Sequence, residues 1–113
     1  MASGTEPRPY NATRTASVTA NTDKVSVDTG SVYISGTVCI CNIRLLAKVN
    51  ITSTDLIVSG MPKPNAIIKF AICKNNGNNV AGYINTSGEI HNDWGSINAN
   101  EGFFINVVYP TND

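Results

Sequence analysis

Ile67-Ile68-Lys69-Phe70-Ala71-Ile72-Cys73-Lys74-Asn75-Asn76-Gly77-Asn78-Asn79-Val80-Ala81-Gly82-Tyr83-Ile84 is the stretch that decides the fold. Two apolar runs flank Asn76-Gly77. Asn-Gly between alternating runs is the strongest short-range hairpin signal, because a tight turn that matches strand twist needs positive φ, which Gly and Asn tolerate. Before the turn, Ile68, Phe70 and Ile72 share one face, and Ile67, Lys69, Ala71 and Cys73 the other. After it, Val80, Gly82 and Ile84 oppose Ala81 and Tyr83. Two antiparallel strands joined by a two-residue turn are expected.

The same alternation continues in both directions. Downstream, Ser87-Gly88 marks a second turn, Glu89-Ile90-His91 reads as a short strand, and His91-Asn92-Asp93-Trp94-Gly95 reads as a loop. The last strand carries Phe103, Ile105, Val107 and Tyr109 on one face and Phe104 and Val108 on the other. Upstream, Asp55-Leu56-Ile57-Val58-Ser59 leads into Gly60-Met61-Pro62-Lys63-Pro64, whose two prolines exclude a central strand there. Further back, Val32, Ile34, Gly36, Val38 and Ile40 occupy even positions, whereas Ile43, Leu45, Ala47, Val49 and Ile51 occupy odd ones. Because side chains alternate strictly along a strand, this phase change predicts a bulge at Cys41-Asn42 within one long bent strand. Asp28-Thr29-Gly30 is a turn signal, and one or two short strands fit between Thr15 and Val27.

About eight strands and no helix result: an all-β fold, expected as an antiparallel β-sandwich of jelly-roll type. Residues 1–14 are polar and broken by Pro7 and Pro9, and are expected to be a flexible linker or tail. Residues 15–113 form one domain, since 113 residues suffice for one core and leave no room for a second.

Composition excludes several functions. Eight basic and eight acidic residues give zero net charge and no basic stripe, so no nucleic-acid partner is expected. The apolar runs fall far short of the roughly 20 residues that cross a bilayer, so no membrane insertion is expected. No secretory leader is evident at Met1-Ala2-Ser3-Gly4. Three Asn-x-Ser/Thr triplets, at Asn11, Asn50 and Asn85, are what chance supplies from 15 Asn and 20 Ser or Thr in 113 residues.

Cys39, Cys41 and Cys73 make an odd count that fits no disulfide framework. Cys39 and Cys41 on one strand would lie about 6.5 to 7 Å apart, at or beyond the limit for a bridge. Small, buried free thiols are expected. The Cys39-x-Cys41 pair with a single histidine in the chain, His91, falls short of a four-ligand zinc site, and no metal or cofactor is expected. Glu89 and His91 face the same way on a strand, but no nucleophile partners them, so no catalytic residue is assigned and the chain reads as a non-enzyme.

The candidate ligand-binding residues are Tyr83, His91, Asn92, Asp93 and Trp94. Sugars stack their apolar ring faces on aromatics while amides and carboxylates fix hydroxyls, and this segment concentrates both kinds of group. Trp94 has two readings, a ligand platform or a core residue.

Ser35-Gly36-Thr37-Val38, Met61-Pro62-Lys63-Pro64, Gly82-Tyr83-Ile84-Asn85, Gly88-Glu89-Ile90 and Ile105-Asn106-Val107-Val108-Tyr109 together resemble the C-terminal head domains of bacteriophage tail fibre and baseplate proteins, over roughly residues 31 to 109. The resemblance implies a trimeric head at the tail tip of the virion, made in the bacterial host cytoplasm and binding a bacterial surface saccharide or wall polymer. A homotrimer is also in keeping with the two-faced last strand, where Phe104 and Val108 are the candidate interface, and with a second apolar face carrying Cys39, Cys41, Ala71 and Cys73. The plain alternative is that these positions pack under loops or against a second sheet. The other functional reading is a monomeric carbohydrate-binding or lectin-like module of a larger enzyme or adhesin, which fold alone does not separate from the first.

Overall fold

The computed structural model describes residues 13–113, which form nine strands and, among the described residues, no helix. They are β1 (Thr13–Thr15), β2 (Thr19–Ala20), β3 (Val25–Ser35), β4 (Val38–Ala47), β5 (Leu56–Ser59), β6 (Ile68–Lys74), β7 (Asn79–Ile84), β8 (Ile90–Trp94) and β9 (Gly102–Pro110). The expected linker over residues 1–14 lies outside the described residues up to residue 12, and Thr13 and Arg14 are already strand.

Every pairing is antiparallel, and hydrogen bonds join all nine strands into one sheet in the order β1-β3-β4-β9-β6-β7-β8-β5-β2. The two edge strands are consecutive in the chain and separated only by residues 16–18. The sheet therefore curls until its edges nearly meet. Pairings β4·β9, β5·β8 and β6·β7 are nested one within the next, as when a long hairpin is wrapped on itself. The two flanks of the curl are joined by only three pairs, Ile72↔Ile105, Cys73↔Phe104 and Lys74↔Phe103.

The central hairpin forms where the sequence places it, with Lys69↔Tyr83, Ala71↔Ala81 and Cys73↔Asn79 in register. Its turn is wider than two residues. The Lys74 amide donates to the Asn78 carbonyl (3.1 Å) and the Gly77 amide to the Lys74 carbonyl (3.0 Å), leaving Asn75, Asn76 and Gly77 in the loop.

The upstream half corrects the expected bulge at Cys41-Asn42. Ser35 pairs with Val38, so Gly36 and Thr37 form a two-residue hairpin turn, with Gly36 at φ 64°. Such a turn pairs an even residue with an odd one, so the inward face passes from Val32 and Ile34 to Cys39, Cys41, Ile43 and Leu45. The strand runs unbroken through Cys41 and Asn42, which pair with Val107 and Asn106. A bulge does exist, but on the partner strand. The register shifts between Val27 and Thr29, so the expected turn at Asp28-Thr29-Gly30 is instead a kinked part of β3.

The curl encloses one core, built from inward residues such as Leu45, Ile72, Ile84, Phe103, Ile105 and Tyr109. The Met61-Pro62-Lys63-Pro64 crossing is pinned to it. The Met61 amide donates to the Gly88 carbonyl (2.9 Å), and the Tyr109 hydroxyl donates to the Pro62 carbonyl (2.6 Å). All three cysteines are free. Cys39 and Cys41 point into the core rather than onto a second face, and Cys73 is exposed rather than buried. Burial, and then the neighbouring Cys39, push the Cys41 thiol up to about 12.

Candidate functional site

The candidate residues lie on β7 and β8 rather than in a loop, because β8 continues through Trp94. His91 pairs with Tyr83 and Asn92 with Gly82, but Trp94, not Asp93, pairs with Ala81. One extra residue is thus accommodated at Asp93. That bulge interrupts the alternation and gives the segment its irregular sequence pattern.

A row of side chains crosses the outer face at this level. Lys69, Tyr83, His91 and Leu56 are successive cross-strand partners on β6, β7, β8 and β5. The Tyr83 and His91 rings stack with centroids 5.3 Å apart and planes 12° from parallel. His91 Nδ1 lies 3.0 Å from the Thr54 carbonyl oxygen, and Nε2 lies 3.2 Å from Glu89 Oε1. Both neighbours are acceptors, so the ring satisfies both only when each nitrogen donates. Glu89 also accepts from Asn85 Nδ2 (3.0 Å), and the Asn85 amide, then His91, hold its carboxyl below the usual range.

Thr54 reaches this position through a left-handed backbone (φ 68°), with its amide donating to the Asn92 carbonyl at 2.7 Å. Lys69 Nζ and Asp93 Oδ2 are 3.1 Å apart. Thr54, Ile67, Lys69, Tyr83 and Asp93 line an open depression of about 260 Å³. Beside it stands Trp94, 70% exposed, so the indole is not a core residue.

Asn92 separates from the other candidates. It is fully buried, and its Nδ2 donates to the Gly95 carbonyl at 2.7 Å, so the amide shapes the end of β8 instead of facing solvent. Its Oδ1 has no protein partner. Sequence reasoning missed Thr54, Ile67 and Lys69 as rim residues. The signal for Lys69 was present, because it shares a strand face with Ala71 and its hairpin partner is Tyr83.

The candidate interface residues also face outward. Val108 is 64% exposed and pairs with Ile40, which in turn pairs with Tyr33. Phe104 is half-buried under the Arg44 guanidinium, whose carbon lies 5.5 Å from the ring centroid, and Arg44 is itself paired with Asp28.

No family model, no curated protein and no solved structure matches this chain.

Proposed function

We propose that this chain is a host-recognition head domain of a bacteriophage tail fibre or baseplate protein, carried at the virion tail tip after synthesis in the bacterial cytoplasm, and that it binds a bacterial surface saccharide. One observation carries the saccharide reading: a 70% exposed indole beside a stacked Tyr83–His91 pair on a rigid strand face. Isolated exposed apolar side chains need no explanation, but an exposed Trp grouped with a stacked pair, an ammonium and a carboxylate is the combination that binds a sugar ring. Ligand contacts are assigned to Tyr83, His91, Asp93 and Trp94. Asn92 acts from beneath, through Gly95 and Thr54.

The nested β4·β9, β5·β8 and β6·β7 pairings support describing the curl as a jelly-roll-type wrap. The homotrimer belongs to the same proposal, with the outward Phe104 and Val108 at its interface. A binding role is favoured over catalysis because each His91 nitrogen faces a protein acceptor, at 3.0 and 3.2 Å, and no nucleophile lies beside the ring among these contacts.

Trp94 is the sole tryptophan, so its fluorescence reports this site alone. A glycan array of bacterial surface saccharides selects ligands, and titration of a selected one is expected to shift and protect the indole emission. Saturable binding with unchanged emission would remove Trp94 from the site. Light scattering tests assembly. A trimer that Val108→Asp dissociates supports the tail head, and a folded 113-residue monomer favours the tethered module.

A further inference from the structure

Beside the aromatic row on the outer face lies a row of minimal side chains. Ala71 pairs with Ala81, and Ala81 pairs with Trp94. Cross-strand partners share a face, so two methyl groups and the indole stand side by side on β6, β7 and β8. Neighbouring strands lie about 4.8 Å apart, so the two alanines floor a strip about the width of one six-membered ring. On one side rises Trp94, 70% exposed. On another lie Tyr83 and the Lys69–Asp93 pair, with 3.1 Å between Nζ and Oδ2. The strip therefore carries two methyl groups and an exposed indole, with a donor and an acceptor held together beside them where the depression lined by Thr54, Ile67, Lys69, Tyr83 and Asp93 begins.

We infer that this strip seats one uncharged hexopyranose ring, with Ala71 and Ala81 setting which rings fit; this rests on the saccharide reading above. The apolar C–H face of the ring stacks on the indole. Lys69 donates to one hydroxyl and Asp93 accepts from its neighbour. Adjacent hydroxyls on a pyranose are separated by about one hydrogen-bond length, which the 3.1 Å ion pair matches. Charge selects the ligand class. Lys69 is the exposed cation here and is matched by Asp93, while Glu89 adds a second carboxylate engaged with His91 at 3.2 Å. A phosphate or uronate polymer would meet no unmatched positive charge, whereas a neutral ring needs none. Selection by size follows from the floor, since any side chain larger than Ala at 71 or 81 rises into the space the ring occupies. Both residues face outward, so enlarging them leaves the core untouched.

The test uses the whole chain, alanine-methyl labelled, titrated with methyl glucoside, methyl galactoside, methyl mannoside, oligosaccharides built from each, and poly(glycerol phosphate). At least one neutral series is expected to move the Ala71 and Ala81 methyl resonances and the Trp94 indole N–H together, and poly(glycerol phosphate) none of them. Ala81→Leu and Ala71→Leu are expected to keep the wild-type melting temperature and to weaken that ligand by about tenfold or more. If the neutral ligand binds, Trp94→Ala abolishes binding and both leucine variants bind as wild type, the floor inference fails while the saccharide reading stands. If poly(glycerol phosphate) moves these resonances and the neutral series do not, the inferred ligand class is overturned. If no carbohydrate of either class moves the Trp94 indole, both this inference and the saccharide reading fall.

Discussion

Trp94→Ala separates platform from core. A Trp side chain offers up to about 250 Å², and with 70% of the residue exposed about 75 Å² is covered. At about 25 cal/mol per Å² the ceiling on the loss is about 2 kcal/mol. Alanine retains part of that contact and the unfolded chain already hides some of the area, so the expected cost is about 1 kcal/mol. For a domain of this size that lowers the melting temperature by about 4 °C. A buried Trp would cost about 3 to 5 kcal/mol. Saccharide affinity, in contrast, is expected to fall by about 1 to 3 kcal/mol, the scale of an anchor contact. Calorimetric melting and titration of the array-selected ligand, both on this one variant, give the two numbers. A melting temperature lowered by well over 10 °C, with binding lost only in proportion to unfolding, would refute the placement of the indole. Undiminished affinity in a folded variant would refute its role.

Three further outcomes follow from the geometry. Gly88→Ala forces a left-handed φ of 81° on an L-residue and sets its Cβ 2.2 Å from the Met61 carbonyl oxygen, so breaking the Met61–Gly88 hydrogen bond as well; a loss of about 3 kcal/mol or more is expected in denaturant melts. In native protein, a thiol reagent at pH 8 is expected to modify Cys73 alone, as read by mass spectrometry, because Cys39 and Cys41 are buried and burial raises both thiols. The depressed Glu89 carboxyl contributes stability that is present above its ordinary value of 4.5 and lost as pH falls through its lower folded value. With the group 40% exposed that contribution is under about 1 kcal/mol, and Glu89→Gln is expected to flatten this part of the acid-stability profile.

The hairpin at Asn76-Gly77 and the two faces of β6, β7 and β9 were legible because period-two alternation and Gly-containing turns act locally. The Gly36-Thr37 turn was not, since a lone Gly in a continuous alternating run reads as strand. The parity change it causes surfaced only later in the apolar pattern and was assigned to Cys41-Asn42. The bulge at Asp28 stayed hidden because polar residues with a Gly signal turn and bulge alike. At the site, alternation alone gave the outward face of Tyr83. The Asp93 bulge broke the pattern that would have marked β8, and made a strand look like a loop. Asn92 looked like a ligand group by residue type, yet its position between Ile90 and the bulge turns it inward. Thr54 is reached only through the β5·β8 pairing, which joins residues far apart in sequence. No local signal encodes such register.

Backbone amide NMR during titration with the array-selected saccharide tests the recognition surface most directly, because it reports every strand at once. The largest shifts are expected at Lys69, Ala81, Tyr83, His91 and Trp94, on the outer face of β6, β7 and β8. Shifts confined to Tyr33, Ile40 and Val108, across β3, β4 and β9, would contradict the account.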